Sequence, residues 1–332
     1  MDNASSDDSV IIARERFGYM KNFMVVSLGE NIGYAGAANQ ALRYANGQII
    51  GILNNDILVT KTWLLPLVQA LLSRIDVMVV SPQLLMLENP GLVMSRGGII
   101  NAFLVAWDRS LMKPAADQPI QEHCLHPSGA AFVFWRELIP KIGGEVFDEN
   151  YFAYFEDVDF GWRTWLSGFK VMYVHDSIVF HKGGGTWSVS SPGKFYLIRR
   201  NGILTGMRNF DTKSMLSLLP IWLISSVVAG FFFYRATKDI KYVSNGIRAI
   251  FSALLNFKRI WKKRIFRSDP YSFLGLMSDE LLTYRPNVFQ VCLCKLANRY
   301  SHFLGLHNYD INRITEYPRF EPEIINRPFA TQ

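Results

Sequence analysis

Three short stretches of this chain hold side chains that could do chemistry. Asn54, Asn55 and Asp56 close the apolar run QIIGILNND (48–56). A carboxylate at a strand end suits Mg²⁺ or Mn²⁺, which needs few protein ligands when phosphate oxygens fill its shell. An ordinary Asn/Asp turn carries the same letters. Glu156, Asp157 and Asp159 crowd the first turn of a helical pattern. Acids there interact favourably with the helix dipole, and adjacent carboxyls can raise one pKa towards the range a general base needs. His181 precedes Lys182-Gly-Gly-Gly185. Its imidazole could complete a metal shell, and the glycines would let backbone N–H groups approach phosphate. A lone strand-end histidine is also a common structural residue. His123, Cys124 and His126 have the letters of a zinc site but no second ligand pair at structural spacing. They are read as loop, and Cys292 and Cys294 as core.

These residues need a frame, and the first two hundred positions alternate strand and helix signals. FMVVSL (23–28) is a short apolar run, YAGAANQALRYANG (34–47) a helix capped at Gly47, and QIIGILNND a buried strand. TWLLPLVQALLSR (62–74) is a helix, VMVVSP (77–82) and GAAFVFWR (129–136) are strands, and FEDVDFGWRTWLSGF (155–169) is a helix. In that helix Val158, Trp162, Trp165 and Leu166 share one face. KVMYVHDSIVFHKGGG (170–185) reads as a strand pair running into a glycine loop. Such alternation predicts an α/β fold with a mainly parallel sheet, helices on both faces and ligands at the carboxyl ends of the strands.

Composition excludes several classes. At 332 residues, 49% hydrophobic, 14% aromatic and only 19% charged, the chain is not intrinsically disordered. Three cysteines cannot staple a chain of this size, which points to a reducing compartment. The polar opening MDNASSDDS is not read as a signal peptide. Residues 1–210 carry 18 Lys+Arg against 19 Asp+Glu, whereas 211–332 carry 17 against 9.

The basic half adjoins SMLSLLPIWLISSVVAGFFFY (214–234), 21 residues without a charge. That is long enough for a membrane span. Arg199, Arg200, Arg208 and Lys213 before it, and Arg235, Lys238, Lys241 and Arg248 after it, put both ends on the cytoplasmic face. A re-entrant hairpin or an interfacial helix fits better than a single crossing, and Pro220 would kink it. NFKRIWKKRIFR (256–267) sets Phe257, Ile260, Trp261, Ile265 and Phe266 among basic residues, as interfacial binding to anionic lipid requires. A buried core helix followed by a basic surface helix is the plainer alternative. Nucleic acid is not expected as a partner, because the uncharged run directly adjoins the basic block.

In chain order, these pieces resemble family 2 glycosyltransferases of the GT-A fold, in the rhamnosyltransferase-like branch. MDNASSDDSV, ENIGYAGAANQAL, ILNNDILV and the block from HPSGAAFVFWR to FHKGGGTW carry the resemblance over about residues 1–205. The resemblance implies an inverting transferase that moves a sugar from a nucleotide-diphosphate donor to a lipid-linked or polysaccharide acceptor. It implies that Asp2 contacts the donor base, that Asn31 and Gly33 shape the nucleotide pocket, and that Asp56 binds Mg²⁺ or Mn²⁺. Asn54 and Asn55 stand where other members carry acids. Asp157 would be the general base with Glu156 beside it, His181 a further metal ligand, and Arg163 and Arg200 (with Asn201) contacts to the diphosphate or acceptor. Residues 206–332 would form a helical region holding the enzyme to the cytoplasmic face of the cell membrane, at an anionic surface.

The family also carries an opening strand and helix of roughly 30 residues before the Val-Asp-Asn strand end, an ordinary size for such a unit. Met1 stands where that second strand should be finishing, so the chain start is expected to be misassigned or truncated. A truncated, catalytically inactive protein that binds membrane or a partner is the alternative reading.

Overall fold

The structure is a computed structural model that describes residues 1–101, 103–116, 123–182 and 191–265. The glycine loop 183–185, Cys292, Cys294 and the expected helical region beyond 265 lie outside the described residues. In chain order the elements are α1 (Ser9–Phe17), α2 (Gly33–Leu42), β1 (Ile49–Leu53), β2 (Ile57–Val59), α3 (Leu64–Ser73), β3 (Val77–Met86), β4 (Val93–Ser95), β5 (Gly98–Ile100) and β6 (Ala106–Asp108). Then come β7 (His123–Cys124), β8 (Ala131–Trp135), α4 (Leu138–Lys141), α5 (Glu156–Leu166), β9 (Lys170–His181), α6 (Pro192–Asn209), α7 (Thr212–Thr237), α8 (Lys241–Leu255) and α9 (Phe257–Lys262).

The main sheet runs β1-β8-β3-β9-β2, with β4 added to β3 and β7 to β9. It is mixed rather than mainly parallel: β3 and β9 are parallel, while β8 runs against both β1 and β3, and β2 against β9. The reason lies between β3 and β8. A parallel return needs a crossover, usually a helix, but the described residues there hold only the short strands β4 to β7. The strand β8 therefore enters from the end at which β3 leaves.

Alternation along β8 divides the interior. Phe132 and Phe134 join Val158, Phe160, Trp162, Trp165 and Val171 under α5, whereas Val133 joins Leu67, Leu71, Val80 and Met172 under α3. Helices thus cover both faces, which is why β3 is almost wholly buried. In β1 only Ile50 is buried, so it is a sheet-edge strand and not the buried one its composition suggested. The FMVVSL run contributes a single bridge, Ser27 to Asp2. The helix α2 stops at Leu42, short of Gly47. The expected strand pair is one strand, β9, with a register shift opposite Pro82 and Gln83. His123 and Cys124 form the strand β7 against β9 rather than loop.

The cluster under α5 continues without a break into Ile203, Leu204, Met207, Phe210, Trp222, Ala253 and Ile260. The helices α6 to α9 therefore share the core of the α/β unit, and the expected boundary at 205/206 falls inside α6. The helix α7 runs unbroken through Pro220 and is long and apolar enough to cross a membrane, with 22% of its most apolar window buried. The basic stretch behind it faces the other way from expectation. Ile260 is fully buried, while Phe257, Trp261 and Ile265 pack on the core. Arg259 pairs with Asp148 at 2.6 Å and Lys263 with Glu145 at 2.8 Å. Its apolar side is therefore largely taken by protein.

The Asp148 anchor has a pH signature. Burial raises its carboxyl, but the Arg259 hydrogen bond and the Lys263 and Arg259 charges outweigh this and hold it at about 2, against an ordinary 3.8. The folded value lies below the unfolded one, so the stabilisation is complete above about pH 4 and is lost as pH falls towards 2, about 2 kcal/mol in all. Thermal unfolding at pH 5 and pH 2.5 should show this loss, and Arg259→Met should flatten that part of the profile.

Candidate functional site

The acidic and imidazole side chains converge at one end of the sheet. The register of β2 on β9 places Ile57 opposite His181, which brings Asp56 against the imidazole: His181 Nε2 lies 3.0 Å from Asp56 Oδ1. His181 Nδ1 faces Met94 Sδ at 3.0 Å. The Lys182 N–H donates to the Asp56 carbonyl at 3.0 Å, and the Asn54 N–H donates to the Ala130 carbonyl at 2.8 Å. Asn55 is exposed beside them. Among the described residues no three His, Cys, Asp or Glu side chains form a metal-holding group. Asp56 and His181 remain as a touching pair, one carboxylate oxygen and one imidazole nitrogen. Such a pair fits a divalent cation whose other positions are filled by phosphate and water.

A second cluster forms at the start of α5. Asp157 Oδ2 accepts from the Gly129 N–H at 3.0 Å, and the Tyr34 hydroxyl donates to the Gly129 carbonyl at 2.6 Å. His126 Nδ1 lies 3.8 Å from the same Asp157 oxygen. Asp157 remains 20% exposed. Glu156 is buried, and its Oε2 has no hydrogen-bond partner. Burial, and then the neighbouring Asp157 charge, push the Glu156 carboxyl well above its ordinary range. The pair therefore divides into a neutral, buried Glu156 and an accessible Asp157.

The backbone ahead of this pair is held in an unusual shape. Phe152, Tyr154 and Phe155 have φ of 64°, 70° and 71°, in the left-handed region that non-glycine residues avoid. The fully buried Asn201 on α6 pins it by donating from Nδ2 to the carbonyls of Tyr151, Ala153 and Tyr154 at 2.9, 2.9 and 2.7 Å. Arg200 donates to the carbonyls of Asn150 and Tyr151 and to Asn201 Oδ1. Arg200 thus supports the segment that presents Asp157, and its donors are not directed at a diphosphate.

Arg163 is also removed from the site. It is fully buried, bonded to Asp159 at 2.7 Å and to the carbonyls of Ile142 and Glu145 at 2.9 Å. Its neighbour one helical turn earlier claims it, and no donor molecule can reach it.

The amino-terminal residues close the other side. Asp2 bridges Ser27, with its N–H on the Val26 carbonyl at 2.8 Å. Asn3 Nδ2 donates to Asn31 Oδ1 at 2.9 Å, and Asn3 Oδ1 accepts from the Ile32 N–H at 3.0 Å. Asn31 Oδ1 also accepts from the Gly33 N–H at 2.9 Å. Gly33 sits at φ +79°, where a Cβ would fall 2.4 Å from the Phe152 carbonyl oxygen, so glycine is required for α2 to start against the strained segment. Two contributors had no signal of their own in the sequence. Asn3 was hidden in a polar run. Asp108 was one acid in a weakly patterned stretch, yet its carboxyl, raised chiefly by burial, feels His126, Asp157 and His181 together. The two clusters are neighbours, because Asn54 bonds to Ala130 and Asp157 to the adjacent Gly129.

Residues 1–143 match the family model described as glycosyl transferase family 2. The matched segment holds Asp2, Asn31, Gly33 and Asn54 to Asp56 and ends before α5. No curated protein matches the chain. Among solved structures, GalNAc-T7 with UDP, GalNAc and Mn²⁺ aligns with a TM-score of 0.51 and 14% identity, covering 79% of this chain and 51% of that one. This chain thus spans about half the length of that protein. The mannosyltransferase PcManGT from Pyrobaculum calidifontis, in complex with GDP-Man and Mn²⁺, aligns at 0.43 and 15% identity over 79% of this chain and 77% of that one. S. aureus TarS 1–349 in complex with UDP-GlcNAc aligns at 0.47 and 16% identity over 93% and 82%. Residues 1–143 thus resemble family 2 glycosyltransferases, and the chain shares its fold with the GalNAc-T7 structure.

Proposed function

We propose that the chain transfers a sugar, with inversion, from a nucleoside-diphosphate donor to a hydroxyl of a lipid-linked or polysaccharide acceptor in cell-surface glycan synthesis. The observation that carries this reading is the Asp56–His181 pair beside the accessible Asp157, with Asn54 bonded to Ala130 and Asp157 to the adjacent Gly129. The UDP and GalNAc in the GalNAc-T7 structure support a donor of that class. Rhamnose is the sugar suggested by the branch resemblance.

Asp157 takes the proton of the acceptor hydroxyl as its oxygen bonds to the anomeric carbon and the bond to the diphosphate breaks. The base and the leaving group lie on opposite sides of that carbon, so its configuration inverts. Gly129 N–H and the Asn201-pinned segment keep Asp157 in place. Glu156, neutral and buried, lies next to Asp157 without competing for the proton. Asp2, Asn3, Asn31 and Gly33 form the base-binding side, and Asn54 and Asn55 flank the diphosphate. A divalent cation, Mn²⁺ as in two of the similar structures or Mg²⁺, would be held by Asp56 and His181 and would neutralise charge building on the leaving diphosphate.

Features of α7 and α8 support membrane association. Exposed Phe231, Phe233 and Ile240 adjoin exposed Arg235, Lys238 and Lys241 at the turn between these helices. Apolar anchors ringed by cations suit an anionic bilayer surface on the cytoplasmic side.

The test is nucleotide release from a panel of UDP-, dTDP- and GDP-sugars with either metal and a membrane lipid extract. Release dependent on acceptor and metal is expected, and none from any donor would overturn the reading. Removing one of only two protein ligands should be costly. Asp56→Ala should raise the Mn²⁺ concentration needed for UDP binding by at least about 10-fold, the scale at which even outer-shell partners matter. Paramagnetic resonance of Mn²⁺ titrated with protein and UDP measures this directly.

A further inference from the structure

A cavity of about 160 Å³ lies between α6, α7 and α8, lined by Lys194, Phe195, Ile198, Arg199, Phe233 and Tyr242 among others. Two glycines create its walls by letting α7 and α8 touch. A Cβ on Gly230 would fall 2.8 Å from the Tyr242 carbonyl oxygen, and one on Gly246 would fall 2.7 Å from that of Ser226.

The lining is mainly apolar, yet it holds two cations. Arg199 donates to the Ser225 and Ser226 hydroxyls at 2.6 and 3.1 Å. Lys194 lies over the Tyr154 ring at 4.9 Å. Among the described residues neither cation has a carboxylate partner, and burial alone pulls both pKa values down, that of Arg199 to about 10. Both are partly buried, and a charge drawn out of water is costly unless paired. Two cations at an apolar hollow therefore suit an anion with an apolar body.

We propose that this cavity binds the phosphate headgroup of a phosphate-headed lipid, with Lys194 and Arg199 on the phosphate and Phe195, Phe233 and Tyr242 against the first carbons of its chain. Three observations favour a lipid over a soluble anion. One wall is α7, the long apolar helix whose Ile224 and Phe231 continue outward exposed. The lining is mostly apolar, which a free phosphate would not need. Through Tyr154, Lys194 also touches the strained segment that presents Asp157. That contact would place a lipid-borne acceptor at the catalytic end, a part of the proposal that rests on the transferase reading above.

The experiment is calorimetric binding of farnesyl phosphate to the full chain, with farnesol and inorganic phosphate as comparison probes. Farnesyl phosphate should bind at least about 10-fold more tightly than either, since a hydrogen bond to a charged group contributes about 1.5–3 kcal/mol. Lys194→Met should remove that advantage, Lys194→Arg should keep it, and Lys258→Met, at an exposed position of α9, should match the parent. Arg199→Met is a weaker test because Arg199 also ties α6 to α7. Equal affinity for farnesol, equal affinity for inorganic phosphate, or an unaltered Lys194→Met would each overturn the proposal. UDP binding, measured on the same preparations, tests the transferase reading separately. Its absence alongside intact farnesyl phosphate binding would remove that reading and leave this site standing.

Discussion

Asp157→Asn should lower sugar transfer by about 10² to 10⁴-fold, the usual contribution of a positioned general base, while UDP binding stays within about twofold of the parent. The substitution keeps the shape of the side chain, and an amide oxygen can still accept the Gly129 N–H that Asp157 holds at 3.0 Å. The loss should therefore be confined to the proton-accepting step. Glu156 cannot take over the role. Its carboxyl is raised first by burial, which persists when the Asp157 charge is removed, and its side chain is packed away from the opening. Glu156→Gln, which replaces a neutral acid with a neutral amide, should cost much less than Asp157→Asn. Parallel assays of transfer and UDP affinity decide the matter. Full transfer by Asp157→Asn would exclude it as the base, and a joint collapse of transfer and UDP binding would mean that it shapes the donor site instead.

The largest effect on stability should come two residues away. Asp159→Ala should cost about 3–5 kcal/mol, as expected when one partner leaves a buried ion network. Asp159 is fully buried and meets Arg163 at 2.7 Å and Arg208 at 3.0 Å, while Asn209 Nδ2 donates to its other oxygen at 2.9 Å. Removing the carboxylate leaves Arg163 with backbone carbonyls alone and Arg208 with Glu145 as its remaining charge partner, inside the core that joins α5 to α6. Urea unfolding measures the cost. Asp159→Asn, which keeps some hydrogen bonds but no charge, should fall between the parent and the alanine variant. A midpoint unchanged in both would show that the network contributes nothing net to stability.

The contrast between these two acids shows how far the amino-acid order alone can go. Glu156, Asp157 and Asp159 occupy one helical turn and are equivalent by spacing. Their roles differ because the first is buried with one carboxyl oxygen unpartnered, the second opens onto the site, and the third faces α6, which starts more than thirty residues later. The same holds for the arginines. Arg163 and Arg200 are cations near acidic motifs in the sequence, and only packing turns the first towards Asp159 and the second towards the carbonyls that brace the strained segment. In NFKRIWKKRIFR the interleaving of aromatic and basic residues is what a lipid surface would select. Glu145 and Asp148 satisfy the same pattern from within the protein, and the sequence cannot show that they lie opposite it.

Local pattern determined the pieces that depend on near neighbours. The apolar runs of β3, β8 and β9, the helices α3 and α5, and the strand-end position of Asp56 follow from side-chain period and turn chemistry, which act over a few residues. The α/β class followed from their alternation. Strand direction did not, because it depends on whether the chain crosses over a sheet face or doubles back, and the hairpins between β3 and β8 leave no strong period. The pairing of Asp56 with His181, 125 positions apart, follows from the register of β2 on β9. Register of that kind is set by the whole sheet packed against its helices, so only the tertiary structure could decide it.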